Sequence, residues 1–404
     1  MLTIFSAFDE RARPKGSRDP LGAEAVWSHL GRKLVGNLTT VTFSLDNFIV
    51  ALLCCEFANL PAKDADVQER YLRCEQLGAY LRLAVRDVNN GLLGVSRARS
   101  NFAADKIRLG KDEDAQLLAD QASYGLWGLY STALDSVGLI AGDRRRPTAG
   151  GQVLLGKIVD SLGQQNWSAL TALADADRVE KARIEALAPA FDTMLRDPAL
   201  RAAVVEALLS RHKDCDLQGE LYSLTGDYLE AGGATNEGIG PLCAYVLASG
   251  KSSPAIRNVM RQVYDIDPVL RRADLVMSWL QSRADTPLDE LAALLAPVLA
   301  RVAPGAAWRD LPHLPHRDFL AKFDDACAAG RADDVIQAVL AQNKQVMGLR
   351  GGAAWVEFDA VRRLVVRVRN DRSTDLGRIA GDDGGWHHSY FLASFLAISS
   401  QGRP

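Results

Sequence analysis

Apolar residues recur along most of this chain at the three- and four-residue spacing of a helix that buries one face. The longest such stripe runs through 66–89, with Tyr71, Cys74, Leu77, Leu81, Ala84 and Val88 on one side and Asn89-Asn90-Gly91 to stop it. Helices are also predicted over 21–35, around Val26, Leu30 and Leu34, and over 45–60, between an N-cap at Ser44 and a terminator at Pro61. Residues 112–121 carry acids in a first helical turn, and 124–137 lie between a cap at Ser123 and a stop at Gly138. From 166 to 343 helix follows helix: 175–195, 198–211, 218–229, 239–248, 254–264, 268–283, 288–302, 318–329 and 333–345. No fixed-period repeat motif links them.

The pattern changes at both ends. Residues 9–22 are polar and hold Pro14, Gly16 and Pro20, which predicts a loop. Residues 354–359 and 363–369 alternate as strands do, with 360–362 as the turn of a hairpin. Helical spacing returns over 386–398, where Trp386, Tyr390, Phe391 and Phe395 are available for docking. The fold class is therefore mainly α: a multi-lobed helical protein with a small C-terminal β-hairpin plus helix. The expected divisions are an N-terminal helical lobe with a basic loop (1–110), a segment 111–165 considered below, a helical array (166–347) and the hairpin and helix (348–404).

Composition narrows the class further. At 48% hydrophobic and 24% charged over 404 residues, the chain is neither collagenous, disulfide-stapled nor globally disordered. A net charge of −3 excludes a wholly basic protein, though not a local basic face. The longest apolar run, 48–55, falls short of the roughly 18 residues a bilayer span needs. Residues 1–10 lack the basic start of a secretory signal. The six cysteines sit mostly inside apolar helical patterns, as buried reduced thiols do. A cytoplasmic protein without membrane contact is expected.

The most informative local pattern is 124–150. A helix ends at Gly138, Leu139-Ile140 follows, then the basic turn Arg144-Arg145-Arg146, then Pro147-Thr148-Ala149-Gly150 leading into another helix. This order resembles the recognition helix and wing of bacterial winged-helix proteins. It departs from them in its Pro-Thr order and in the shortness of the hairpin. The resemblance implies a winged-helix-like segment whose three arginines reach phosphates or a minor groove. Against it, Trp127, Leu129, Tyr130 and Leu134 read as core.

Two further basic sets have both a phosphate-tracking and a solvated-surface reading. One is the N-terminal loop, Arg11, Arg13, Lys15 and Arg18, where Asp9, Glu10 and Asp19 are at hand to neutralise it; Arg97 and Arg99 read in the same two ways. The other is the C-terminal hairpin, where Arg363, Arg367 and Arg369 share one parity and Leu364, Val366 and Val368 the other.

Catalytic and cofactor signals are weak. Lys251-Ser252 imitates the end of a P-loop, but Tyr245 stands where its first glycine belongs, and the Gly232–Gly240 glycines follow no strand. His212 with Cys215, and His313 with His316, lack further metal ligands. His387 and His388 are adjacent, and on a helix would point about 100° apart. No nucleophile elbow or zinc-protease motif is present. No cofactor and no catalytic residue are assigned.

Three stretches, 15–22, 36–40 and 124–130, look like an uncharacterised group of bacterial proteins. That group is associated with multi-gene loci acting against phage or other mobile DNA. The resemblance implies a defence setting, with nucleic acid (DNA foremost) and proteins of the same locus as partners. The leading expectation is a non-catalytic nucleic-acid-recognising or assembly subunit, with Arg144, Arg145 and Arg146 as its contacts and the N-terminal loop as helper. The alternatives are a purely protein-binding scaffold built on the helical array, and a metal-dependent nuclease with a site assembled from distant residues, for which Glu357 and Asp359 are the positions to test.

Overall fold

A computed structural model describes residues 19–61, 66–86, 91–299, 306–370, 375–380 and 386–403. The protein is mainly α-helical, with three short two-stranded antiparallel sheets among the described residues. No described helix is long and apolar enough to cross a membrane.

The chain divides into two compact units, each assembled from separated segments. The first comprises the described residues of Met1–Arg32 and Asn236–Tyr390, the second those of Lys33–Thr235 and Phe391–Pro404. The consecutive divisions expected at 110, 165 and 347 do not coincide with these units. In the second unit, Val67–Val85 packs on Lys181–Arg196, and strand Lys106–Arg108 pairs antiparallel with Arg178–Glu180. Contacts of such sequence separation carry no local signal.

In the first unit the central element is a 27-residue helix, Pro254–Leu280. Two helices separated before Pro268 are expected there; one runs through. An internal proline removes one backbone hydrogen bond. Here Ile266, Val269, Leu270 and Ala273 on either side of it are buried, which holds the helix together. Helices Ala23–Gly31, Gly240–Ala248, Arg317–Ala328 and Ala332–Leu349 pack on it. Helix Ala332–Leu349 also ties down the chain on both sides. Gln342 Nε2 donates to the Leu21 carbonyl at 2.7 Å, and Asn343 Oδ1 accepts the Trp355 N–H at 2.8 Å. Strands Val356–Phe358 and Leu364–Val366 pair antiparallel, with Glu357 opposite Val365.

In the second unit, helix Leu45–Asn59 lies along Val67–Val85 and is buried almost all round, from Leu45 to Cys55. Its first turn carries Asp46, which accepts from Arg86 at 2.9 Å and Arg201 at 2.7 Å, while Arg82 donates to Asn47 at 2.7 Å. Such a network costs desolvation to form, and removing one member leaves buried charge uncompensated. The helix Leu392–Gln401 joins this unit against Pro198–Leu209 and Gln218–Glu230; Gln401 caps Leu45 through its Oε1 at 2.9 Å.

Three local expectations are corrected. Residues 112–120 form turns, not a helix; Gln121 Oε1 accepts the Leu117 N–H at 3.0 Å, and Gln76 from helix Val67–Val85 bonds Gly110 and Gln121 on either side of the segment. The segment 124–137 is broken into Gln121–Tyr124, a π-helical turn Leu126–Tyr130, and Ser131–Ser136. The last helix begins at Leu392 instead of 386, after Tyr390 and Phe391 adopt left-handed φ angles of 47° and 61°.

Candidate nucleic-acid interface

The basic turn sits on a small hairpin. Ile140–Ala141 pairs with Arg146–Pro147, and residues 142–145 close it with the Arg145 N–H on the Gly142 carbonyl at 2.8 Å. Gly142 takes φ 72° and Arg145 φ 51°, so the turn needs two left-handed residues. Thr148 then starts the next helix, Ala149–Leu162. Its Oγ1 accepts the Gly151 N–H at 3.2 Å and donates to the Gly138 carbonyl at 2.7 Å. A Cβ on Gly151 would stand 2.1 Å from the Leu139 carbonyl oxygen, so glycine is what lets this helix start against the hairpin.

The three arginines are not equivalent. Arg145 is half-buried, its guanidinium 3.8 Å from the centroid of the Trp127 ring and hydrogen-bonded to Ser131 Oγ. It fastens the turn to the π-helical segment. Arg144 and Arg146 are exposed and form no ion pair among the described residues. The backbone between them is pinned too: Asn59 Nδ2 donates to the Arg144 carbonyl at 3.0 Å. Of the three expected contacts, then, two face solvent and one belongs to the scaffold.

The mount beneath is built from aromatic and carboxyl groups. Tyr71 meets the Trp127 ring edge-on at 5.1 Å. Glu75, which is buried, accepts the Leu126 N–H at 2.8 Å. Burial pushes the Glu75 carboxyl up to about 7, against the downward pull of that hydrogen bond and of Gln121. The neighbouring Cys54 and Cys55 thiols are also raised, chiefly by burial. Leu126, Tyr130, Ala133 and Leu134 are buried, as core residues are, while Trp127 and Leu129 are half-buried. The exposed side of this broken helix shows Tyr124, Thr132 and Asp135 and no cation. It offers no basic reading head, so any phosphate contact falls to the turn.

Nothing in the sequence places Lys181, which is itself paired with Glu185 at 3.8 Å, near Arg99. In the second unit the two line an open cavity of about 510 Å³ with Arg86 and Phe102, and Lys181 Nζ lies 4.9 Å from the Phe102 ring centroid. Strand pairing between 106–108 and 178–180 is what brings Lys181 there.

Other candidates fare differently. Arg11, Arg13, Lys15 and Arg18 lie outside the described residues. Arg363 donates to the Asp285 carbonyl at 2.6 Å, and Arg367 pairs with Glu357. Asp359 accepts the N–H groups of Val361 at 3.0 Å and Arg363 at 2.8 Å, capping the hairpin turn. Glu357 and Asp359 are thus structural partners of the hairpin, and no described group of three or more His, Cys, Asp or Glu is placed to hold a metal. Cys215 donates to the Lys33 carbonyl, and Ser252 closes a helix end by donating to the Val246 carbonyl. His387 and His388 lie in a non-helical segment, where His388 bridges two aspartates.

Comparison with protein-family models, with curated proteins and with solved structures finds no match for this chain.

Proposed function

We propose that this protein is a non-catalytic subunit that grips the phosphate backbone of nucleic acid, DNA foremost, through the 142–146 turn. The observation that carries this reading is the division of labour in the arginine triplet. Arg145 is committed to Trp127 and Ser131, which leaves Arg144 and Arg146 exposed, unpaired among the described residues, and held on a fixed turn. Guanidinium groups carried on a fixed turn suit phosphate oxygens in charge and in hydrogen-bonding geometry. They supply register and affinity; sequence discrimination would need base contacts, and the broken helix 121–136 beside the turn presents no cation for them.

A defence assembly is the setting that the resemblance of 15–22, 36–40 and 124–130 suggests. The test is fluorescence anisotropy of the pure protein on duplex DNA, single-stranded DNA and RNA across a salt series. Binding that weakens steeply with salt supports the proposal. No binding to any of the three at low salt overturns it and favours a protein-binding scaffold.

A further inference from the structure

The first unit holds a cavity of about 400 Å³ whose chemistry the phosphate-binding proposal does not use. One wall is the start of helix Ala23–Gly31, with Asp19, Glu24 and Trp27. The opposite wall is one face of Pro254–Leu280, with Asp274, Met277 and Ser278, and Trp355, His387 and His388 complete it. Asp274, Met277, Ser278 and Gln281 follow the three- and four-residue spacing that places side chains on a single helix face.

Asp274 is held rigidly. His388, with 7% of its side chain exposed, bonds Asp267 Oδ1 through Nδ1 at 3.0 Å and Asp274 Oδ2 through Nε2 at 3.1 Å. Asp267 is itself buried and also accepts the His387 N–H at 3.3 Å. The chain Asp267–His388–Asp274 therefore fixes one oxygen of Asp274. The other, Oδ1, makes no hydrogen bond among the described residues, and Asp274 lines the cavity.

The charges around this space do not cancel. Asp19 is matched by Arg350 at 3.4 Å. Asp267 and Asp274 share the imidazole of His388 at 3.0 and 3.1 Å, with His387 Nε2 farther from Asp274 at 3.9 Å. Glu24 is exposed and forms no ion pair among the described residues. Arg271, one turn before Asp274, is buried and does not line the cavity. The accessible wall is thus acidic, and two tryptophans, a residue type that attracts cations, line it with the carboxylates.

We propose that this cavity binds a small organic cation, an ammonium or guanidinium group, with Asp274 and Glu24 as its counter-charges and Trp27 and Trp355 as its apolar walls. A bare metal ion fits less well, because no described set of three ligating side chains converges. An anion would meet two carboxylates. The volume lies within the range of small-molecule sites, and mixed apolar and polar walls are typical of them.

Choline and agmatine serve as probes, with dimethylbutanol as the uncharged isostere of choline. Isothermal titration and tryptophan fluorescence read the binding. The expected result is saturable binding of at least one cation, with dimethylbutanol about tenfold weaker or worse. Asp274→Asn should weaken the bound cation about tenfold and Glu24→Gln severalfold. Should Asp274→Asn fail to fold, Glu24→Gln on the exposed helix start decides the matter. The proposal is overturned if neither cation binds at up to about 10 mM, a limit set by weak-binding energetics. Equal binding of dimethylbutanol, or unchanged affinity in the folded variants, overturns it as well.

Discussion

The Arg145 guanidinium lies 3.8 Å from the centre of the Trp127 ring. This contact joins the tip of a four-residue turn to a π-helical segment, and it separates one arginine of the triplet from its neighbours in function. Replacing Arg145 by alanine removes a half-buried cation–π contact and the bond to Ser131. It should lower stability by about 1–2 kcal/mol. Replacing Arg144 or Arg146 touches no internal partner and should shift stability by less than about 0.5 kcal/mol. Denaturant titration of the three single variants checks the ordering.

The hairpin's other anchor is Thr148. Thr148→Ala removes the cap on Gly151 and the bond to the Gly138 carbonyl, and should cost about 1–2 kcal/mol. Gly151→Ala should cost more, because its new methyl group meets the Leu139 carbonyl oxygen. A thermal melt in which Gly151→Ala is as stable as the parent would contradict the packing described for this helix start.

Glu75 gives the second unit a pH signature. Its carboxyl is raised from 4.5 to about 7 in the folded protein, chiefly by burial. The folded state therefore favours the protonated form. That contribution is complete below about pH 4.5 and is lost as pH rises through about 7, amounting to ~3 kcal/mol. Glu75→Gln keeps the shape without the charge. It should be more stable than the parent at pH 8 and should flatten this part of the pH profile. A variant that melts in parallel with the parent from acid to alkaline pH would show that Glu75 does not titrate in this window.

His388 has the same sign in a higher window. Burial pushes its imidazolium down, but the bonds and charges of Asp267 and Asp274 outweigh this and lift it from 6.5 to about 9. The stabilisation is complete below about pH 6.5 and fades as pH rises through about 9. His387, lowered by burial and by the neighbouring His388 charge, should titrate below it. Imidazole proton resonances followed across this range should show two histidines with these separate midpoints. His388→Gln, which leaves two aspartates without their shared cation, should destabilise the first unit by about 3–5 kcal/mol at neutral pH.

What the sequence shows, and what it hides, follows from the range of the forces involved. Stripes such as Tyr71, Cys74, Leu77 and Leu81 mark a buried helix face by themselves, and Thr148 with Gly151 marks a helix start. The continuity of Pro254–Leu280 through Pro268 was hidden, because burial on both sides outweighs a local breaker. The loss of a helix at 112–120 was hidden as well, since Gln76, from another helix, bonds Gly110 and Gln121 on either side of it. The arginine triplet was visible as charge, yet its splitting into one structural and two exposed members depends on where Trp127 stands. His387 and His388 could be judged only as a metal pair. Asp267 and Asp274, more than a hundred residues earlier, give His388 its role, and no spacing rule connects them.

The central claim is that Arg144 and Arg146 contact phosphate while Arg145 holds the turn. The most direct test compares the salt dependence of DNA binding by the parent and by the Arg144→Ala/Arg146→Ala double variant. Loss of two phosphate contacts should reduce the slope of log K against log salt by about 1.8 and weaken binding at every salt concentration, with the melting curve unchanged. An identical slope and affinity in a folded double variant would contradict the account.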